Sequence, residues 1–413
     1  MKAPVKSDPR PYRRYFRRWI WGVCLLLTLS GHPSGATSAR PGDNPLALIG
    51  ATDSLLVTAP DGTVVFSRHA DRQMIPASTL KLLTSLAALH YLGPDYRFPT
   101  EFFIDADRNL KIKGYGDPLL ISEAIDRICK SLAGKLPRLN NIILDDHYFS
   151  QPVIIPGRTT SHQPFDAPNG ALCANFNTVV FKKNRAGQYI SAEKQTPLVP
   201  FARQKLRAAG LTAGRIVFSH RNNDNVLYAG YLFRHFLTRY GVSCRGGVHI
   251  GQVAPASDRL ILRHTASADL STVIGQLLEF SNNFIANQLL IAMGASVYGP
   301  PGTLKKGISA VTAYAGGTLG LTRFSIVEGS GIARQNRISA REMMRVLNAF
   351  EPFRHLMRRH GREYYKTGTL TGIRTRAGYI ESRRGGRYRF VVMMNTKGKS
   401  AEKVVRQLLK QLP

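Results

Sequence analysis

The segment that most constrains this chain is PASTLKLLTSLAALHYLG, residues 76–93. Its leucines and alanines predict a buried helix, which Gly93 and the proline after it would end. Lys81 follows Ser78 by three residues, so the two side chains lie on one face of that helix, one turn apart. Burying an ammonium group is costly, and the position of Lys81 therefore requires a physical reason.

A chemical role for this pair would supply that reason. Apolar surroundings lower the pKa of a lysine, and its neutral amine can take the proton of a neighbouring serine hydroxyl. The pair Ser78 and Lys81 would then give an activated nucleophile without a histidine. Ser78 also lies near the helix start, where unpaired backbone N–H groups can stabilise an oxyanion. The alternative is that Lys81 extends to solvent and has no chemical role.

The Ser-x-x-Lys spacing is weak evidence by itself. It occurs twice more, at Ser191/Lys194 and at Ser400/Lys403. At both places a glutamate stands beside the lysine and no long apolar helix is present. These two pairs are therefore predicted to have solvated lysines and no catalytic role.

Two further motifs strengthen the case. The segment 281–283, Ser-Asn-Asn, lies between two helical patterns, where a hydroxyl and a carboxamide can project from a loop into a cleft. The segment 366–368, Lys-Thr-Gly, begins a strand-like run. An exposed strand edge there can pair with an extended peptide, and Gly368 permits a close approach. The three motifs together, on helix, loop and strand, predict one catalytic cleft.

The ends of the chain predict one sheet. Residues 45–68 have the pattern of a β-hairpin, and residues 362–395 that of consecutive strands before a final helix. We expect these strands to form one antiparallel sheet covered by helices, an α+β fold. Short strand patterns with many turn residues occupy the middle. We therefore predict a discontinuous main domain, residues 45–105 and 226–413, with a strand-rich domain, residues 106–225, inserted into it.

The N-terminus predicts export. Basic residues precede a short apolar run and then small residues, which is the order of a secretory signal peptide, assigned here to residues 1–39. The formal net charge is +31, of which residues 1–40 carry +7 (eight Lys or Arg and one Asp) and the rest +24. Such an excess favours contact with an anionic envelope surface, with a merely solvated basic surface as the alternative. The basic residues are scattered, which disfavours nucleic-acid binding.

Cysteine does not carry the chemistry. The mature chain would retain Cys129, Cys173 and Cys244, an odd number that allows at most one internal bridge. No spacing typical of a metal site occurs. We expect no metal and no organic cofactor, since serine acyl transfer needs neither.

The motif set in this order resembles that of the penicillin-recognising serine enzymes. Further segments are similar to one branch, the D-alanyl-D-alanine carboxypeptidase/endopeptidase family, or class C low-molecular-mass penicillin-binding proteins. The similar features are the long separation of the first two motifs, GYGDP at 114–118, ILDDHYF at 143–149, EGSGIARQNRIS at 328–339 and KTGTL at 366–370. The resemblance implies a penicillin-binding/β-lactamase-like transpeptidase domain with an inserted strand-rich domain.

The resemblance also implies roles for the motif residues. Ser78 would be acylated, Lys81 would act as its base, and Ser281 would relay the proton to the leaving group. Asn283 would hold the substrate amide. Lys366 would tune Ser281 electrostatically.

Substrate contacts are implied as well. Thr367 and Thr369, on either side of Gly368, would contact the terminal carboxylate of the substrate. The backbone N–H groups of Ser78 and Thr369 would form the oxyanion hole. The inserted domain would line the pocket for the stem peptide, with Asp145 as a candidate contact and a structural surface turn as the alternative for that residue.

The sequence therefore predicts a serine-type D-alanyl-D-alanine carboxypeptidase in the periplasm or cell envelope, which would act on peptidoglycan stem peptides and be inhibited covalently by β-lactams. Endopeptidase activity stays open. Two alternatives are a β-lactamase, disfavoured because no ExxLN pattern is found, and a non-catalytic peptidoglycan-binding protein. The second is supported by residues 352–365, which replace a GTLxxR-containing stretch of relatives. Glu328 and Ala333 also replace the family's Asp and Ser.

Overall fold

A computed structural model describes residues 44–413, so the predicted signal peptide lies outside the described residues. None of the helices in this range combines the length and the apolar composition needed to cross a membrane. Its α-helices are α1 (Lys81–Leu92), α2 (Ser122–Ala133), α3 (Pro200–Ala208), α4 (Asn222–Arg239), α5 (Leu270–Phe280), α6 (Asn283–Tyr298), α7 (Leu304–Ala313), α8 (Ala340–Phe350) and α9 (Ala401–Gln411).

The strands in the same range are short in the middle of the chain and longest near its end. They are β1 (Ser54–Thr58), β2 (Val64–Arg68), β3 (Pro99–Ile104), β4 (Leu110–Gly114), β5 (Arg138–Leu139), β6 (Ile142–Asp145), β7 (Val179–Lys183), β8 (Tyr189–Ser191), β9 (Ala213–Ile216), β10 (Ser243–Cys244), β11 (Val248–Ile250), β12 (Arg259–Thr265), β13 (Phe324–Ser325), β14 (Arg337–Ile338), β15 (Arg358–His360), β16 (Glu363–Leu370), β17 (Ile373–Glu381) and β18 (Arg387–Met394).

The largest sheet joins the two ends of the described chain, as predicted. Its order is β15-β16-β17-β18-β1-β2, and every neighbouring pair is antiparallel. Alternate side chains of β18 face opposite layers: Val391 and Met393 join the core under α1, whereas Phe390 and Val392 pack with α9. The α+β class with an antiparallel sheet covered by helices is therefore confirmed.

Helix α1 occupies the centre of the main core. All of its residues from Lys81 to Leu89 are buried, and it packs against α5, α6, α7 and α8. Gly93, with φ of 84°, follows its last residue, and a proline comes next, so the helix ends where the sequence predicts. An ionisable side chain, that of Lys81, is thus buried at its first turn.

The stretch of chain from β3 to β12 forms a second sheet with its own apolar core. The sheet has the order β11-β6-β4-β3-β12, and α2 and α4 contribute to its apolar core. The strand pair β3/β12 runs from Pro99↔Thr265 to Ile104↔Arg259. The inserted domain expected at residues 106–225 stays a prediction, and this pairing leads us to propose wider bounds for it, near residues 98 and 266.

Candidate active site

The backbone around Ser78 is fixed from two sides. Ser78 lies in a short 3₁₀ helix, Ala77–Leu80, that leads directly into α1, and Ala77 has a positive φ of 47°. The Pro76 carbonyl accepts a hydrogen bond from Oγ1 of Thr375 in β17, at 2.7 Å. Left-handed backbone is costly for alanine and persists where neighbours enforce it. The half-buried hydroxyl of Ser78 is therefore presented by a constrained corner between helix and sheet.

Lys81 is fully buried beside that hydroxyl. Its side chain is 0% exposed, and its Nζ lies 2.9 Å from Ser78 Oγ, 2.8 Å from Asn283 Oδ1 and 2.6 Å from the Ser330 carbonyl oxygen. Burial, together with the nearby Lys366 ammonium, lowers the pKa of Lys81 well below its ordinary value, and Glu328 opposes this shift. The structure thus favours the uncharged amine.

The three contacts also orient that amine. A neutral lysine has two N–H groups and one lone pair. The oxygens of Asn283 and Ser330 can only accept, so they use both N–H groups. In that neutral form the lone pair would face the Ser78 hydroxyl, which would donate to it across the 2.9 Å that separate Nζ and Oγ. This is the geometry in which an amine can take the proton from a serine as the serine attacks.

Ser281 is the second hydroxyl of the site. It follows the last residue of α5 in a left-handed conformation, with φ of 53°, and precedes α6. Lys366 Nζ donates to Ser281 Oγ at 2.8 Å and to the Thr367 carbonyl at 2.7 Å. Burial, with Arg358 acting in the same direction, lowers the pKa of Lys366 to about 7, and Glu279 opposes this. The Lys-Thr-Gly strand and the Ser-x-Asn loop therefore meet, as the sequence predicts.

Asn283 links the two halves of the site. It is the first residue of α6, a helix whose N-terminus is capped by the Asn282 side chain. While its Oδ1 accepts from Lys81, its Nδ2 donates to the Phe165 carbonyl at 3.3 Å. Phe165 belongs to the predicted inserted domain, and its side chain is 53% exposed. The carboxamide thus connects the nucleophile pair to a loop of the middle region.

Strand β16 approaches the nucleophile closely at Gly368. A Cβ added to Gly368 would lie 2.7 Å from the Ser78 backbone nitrogen and 2.2 Å from Thr375 Oγ1. The side chains of Thr367 and Thr369, on either side of it, are exposed. Strand β15 pairs with β16 only over residues 363–365, so among the described strands β17 alone pairs with residues 366–370. One backbone edge of this segment is therefore open, as the sequence predicts.

Asp145 is placed apart from these residues. Its Oδ1 accepts from the backbone N–H of His147, and its Oδ2 accepts from the Val253 N–H. Within residues 44–413, none of its hydrogen bonds reaches Ser78 or Lys81. A substrate contact for Asp145 stays a prediction, and these bonds favour the structural alternative.

The two other Ser-x-x-Lys pairs have ordinary structural roles. Lys194 and Lys403 are exposed, as predicted. Ser191 Oγ bonds the backbone of the second residue after it in a turn, and Ser400 caps the N-terminus of α9. The cysteines carry no bridge either, because Cys129, Cys173 and Cys244 are free thiols.

The segment 328–336, for which the sequence predicts no role, completes the site. The Ser330 carbonyl binds Lys81, and a Cβ added to Gly331 would lie 1.9 Å from the Ala77 carbonyl oxygen. Gly331 has a φ of 83°, so it requires glycine for both space and conformation. The glycines of this segment and its similarity to the family pattern were the available signals, whereas the contact of the Ser330 carbonyl with Lys81 leaves none in residue types.

The segment that replaces the GTLxxR-containing stretch of relatives forms a short helix followed by a strand. Residues Glu351–Leu356 form a 3₁₀ helix, and β15 follows it. Arg358 donates to the Glu279 carbonyl at 3.0 Å and lies 3.5 Å from its carboxylate. This ion pair places one charge of each sign near Lys366.

Comparison with known proteins gives a family match. A model of the D-Ala-D-Ala carboxypeptidase 3 (S13) family matches residues 46–213, 191–360 and 353–412. The D-alanyl-D-alanine carboxypeptidase of Actinomadura sp. (strain R39) is 26% identical over 343 residues, which are 71% of this chain and 63% of that relative's length. D-alanyl-D-alanine carboxypeptidase DacB of Haemophilus influenzae is 24% identical over 391 residues, covering 78% of this chain and 80% of the relative.

Solved structures show a similar fold. Penicillin binding protein 4 (dacB) from Haemophilus influenzae superposes with a TM-score of 0.70 at 17% identity, covering 90% of this chain and 98% of that one. The Bd0816 predatory endopeptidase from Bdellovibrio bacteriovorus gives a TM-score of 0.54 at 16% identity, covering 87% and 93%. At these identities the likeness concerns the fold alone.

Proposed function

The chain belongs to the D-Ala-D-Ala carboxypeptidase 3 (S13) family, and from this membership we propose that it is a serine-type D-alanyl-D-alanine carboxypeptidase. It acts on peptidoglycan stem peptides through an acyl-enzyme on Ser78. The observation that carries the proposal is the buried amine of Lys81, whose Nζ lies 2.9 Å from Ser78 Oγ, 2.8 Å from Asn283 Oδ1 and 2.6 Å from the Ser330 carbonyl oxygen.

The proposed reaction has two halves. Ser78 Oγ bonds to the carbonyl carbon of the penultimate D-alanine while its proton passes to Lys81, and the backbone N–H groups of Ser78 and Thr369 stabilise the oxyanion. The C–N bond then breaks, and Ser281 relays the proton to the amine of the leaving D-alanine. Water next attacks the ester carbonyl carbon while Lys81 takes a proton from it. The ester C–O bond then breaks, Lys81 returns the proton to Ser78 Oγ, and the shortened peptide leaves as a carboxylic acid.

The remaining groups hold the substrate. Asn283 binds the substrate amide through its carboxamide. Lys366 tunes Ser281 and, with Thr367 and Thr369, attracts the terminal carboxylate. The open edge of β16 beside Gly368 pairs with the extended peptide. The same chemistry would cleave a D-amino-acid crosslink, so the proposal includes endopeptidase activity.

Location and partners follow from the same proposal. A secretory signal at residues 1–39 would export the chain to the periplasm or cell envelope, where its substrate lies and where its net positive charge suits anionic surroundings. The Haemophilus structure has also been determined in complex with a β-lactam. We propose that β-lactams acylate Ser78 here and act as covalent inhibitors.

A direct test is the release of D-alanine from a purified stem pentapeptide ending in D-alanyl-D-alanine. We expect one D-alanine per peptide, and none from the same peptide ending in L-alanine, because the site must distinguish the configuration at the scissile bond. Prior incubation with penicillin should block the release. Chromatography with mass detection measures both products, and crosslinked dimers in a parallel digest measure endopeptidase activity.

Two outcomes would contradict the proposal. If penicillin binds but neither D-alanine nor crosslink cleavage is detected, the chain is a binding protein. If penicillin is hydrolysed rapidly and no peptide is cleaved, the chain is a β-lactamase.

A further inference from the structure

Glu328 is a buried carboxylate that the proposed reaction does not use. Its side chain is 0% exposed. A buried charge of this kind is retained only where hydrogen bonds or an opposite charge compensate its loss of water. No Lys or Arg among the described residues lies within ion-pair distance of it, so the compensation comes from hydrogen bonds and from charges farther away.

Both oxygens of Glu328 are saturated by donors. Oε1 accepts from the backbone N–H groups of Gly331 (2.7 Å) and Ala333 (3.3 Å) and from Asn336 Nδ2 (2.7 Å). Oε2 accepts from the backbone N–H (2.6 Å) and Oγ (2.6 Å) of Ser330 and from Asn287 Nδ2 (3.3 Å). The carboxylate thus organises the whole turn 328–336 around itself.

This turn also contacts the catalytic pair. The Ser330 carbonyl, in the residue whose N–H binds Glu328, accepts from Lys81 Nζ at 2.6 Å. Residue 329 is held on the same side, because its N–H donates to Asn287 Oδ1 at 2.8 Å and its carbonyl accepts from Thr84 Oγ1 at 2.7 Å. Ser330 therefore connects the Glu328 carboxylate to the Lys81 amine: its backbone N–H donates to the carboxylate, and its carbonyl accepts from the amine.

We infer that Glu328 is a positioning residue for Lys81: it fixes the Ser330 carbonyl that orients the amine, and its negative charge partly offsets the positive charge of Lys366. The inference rests on the proposed function, since it concerns the base of that reaction. Glu328 touches neither substrate nor nucleophile and acts through Ser330 and through its field.

The charges that act on Lys81 come from two elements. Lys366, from β16, disfavours the protonated form of Lys81, and Glu328, from the 328–336 turn, favours it. The Arg358–Glu279 pair lies one step farther out and acts on Lys366. The α6 residues facing Lys81 and Glu328, Asn283 and Asn287, are uncharged. Removing the carboxylate at 328 would therefore leave Lys81 facing positive charge alone.

The test compares Glu328→Gln with Glu328→Asp in the mature, full-length protein. Glutamine removes the charge and turns an amide NH₂ toward a set of N–H donors, whereas aspartate keeps the charge with a side chain shorter by one methylene. The measurement is the second-order rate constant of penicillin acylation against pH, because its acid limb reports the protonation of Lys81 in the free enzyme. Circular dichroism checks the fold of each variant.

In wild type, acylation should fall as the pH drops through the pKa of Lys81. Glu328→Gln should lower that pKa and move the acid limb down by about one pH unit, because the protonated amine loses the attraction of a nearby buried negative charge. Glu328→Asp should lower the rate but keep the acid limb within about 0.3 pH units of wild type. A merely structural role would not separate the two variants in this way.

The inference is overturned if a folded Glu328→Gln protein keeps the wild-type acid limb, or if the limb of Glu328→Asp moves by as much as one unit. The aspartate result decides the matter alone if the glutamine variant does not fold. If wild-type protein is not acylated by penicillin at any pH, the proposed function fails, and the inference fails with it. The two failures are thus distinguished by the wild-type profile.

Discussion

Replacing Lys81 by methionine should reduce the rate of penicillin acylation by about 10³-fold or more, the upper range for loss of a general base acting on a nucleophile. Methionine is apolar and similar in length, so it suits the buried position at the start of α1. What it lacks is a basic nitrogen, which in Lys81 lies 2.9 Å from Ser78 Oγ. The hydroxyl would then keep its proton and attack as a poor nucleophile.

A matched control is Lys403→Met. Lys403 stands in the same Ser-x-x-Lys spacing with Ser400, but it is exposed on α9. This variant should be acylated at the wild-type rate. Stopped-flow fluorescence with a labelled penicillin measures both rates, and thermal unfolding checks that each variant is folded. Acylation of Lys81→Met within about tenfold of wild type would assign the base to another group.

Adding one methyl group at Gly368 should also reduce acylation strongly, by about 10²-fold, as expected for a displacement of reacting groups by about 1 Å. The new Cβ would lie 2.7 Å from the Ser78 nitrogen and 2.9 Å from Ala77 Cβ. Strand β16 or the corner at Ala77 must move to relieve this contact. Either movement disturbs the donors proposed for the oxyanion hole.

Gly275→Ala supplies the control for Gly368→Ala. Gly275 lies within α5, and an added Cβ there would meet nothing within 4 Å. This variant should keep the wild-type rate and match or exceed the wild-type thermal stability, because alanine is favoured over glycine in a helix. The same stopped-flow assay decides the comparison. Equal acylation rates for Gly368→Ala and wild type would mean that β16 does not approach the nucleophile as closely as described.

Residue types and their periodicity were sufficient to predict the sheet and the buried helix. The joining of β1 to β18 follows from alternating apolar strands at both ends of the chain, and α1 follows from an unbroken apolar run ended by Gly93. The meeting of Lys81 with residues 281–283 and 366–368 was predictable only from the three motifs taken together. Each motif alone is too short to specify a contact.

Other parts of the site could not be predicted from residue types. The Ser330 carbonyl contacts Lys81 through its backbone, which any residue would supply. The Phe165 carbonyl contacts Asn283 for the same reason. The limits of the inserted domain, residues 106 and 225, stay a prediction, and the wider limits proposed above depend on the β3/β12 pairing, which residue types alone do not specify. Asp145 stays a candidate substrate contact, and its oxygens accept hydrogen bonds from the backbone N–H groups of His147 and Val253.

The central claim is that Ser78 is the nucleophile, and its most direct test is mass spectrometry of the protein after exposure to penicillin. We predict one penicilloyl adduct per chain, located by proteolysis on the peptide that contains Ser78 and absent from Ser78→Ala. The control Ser85→Ala changes a fully buried serine on α1, the helix that follows Ser78, and should keep the adduct. An adduct on another residue, or an adduct that persists in Ser78→Ala, would contradict the account.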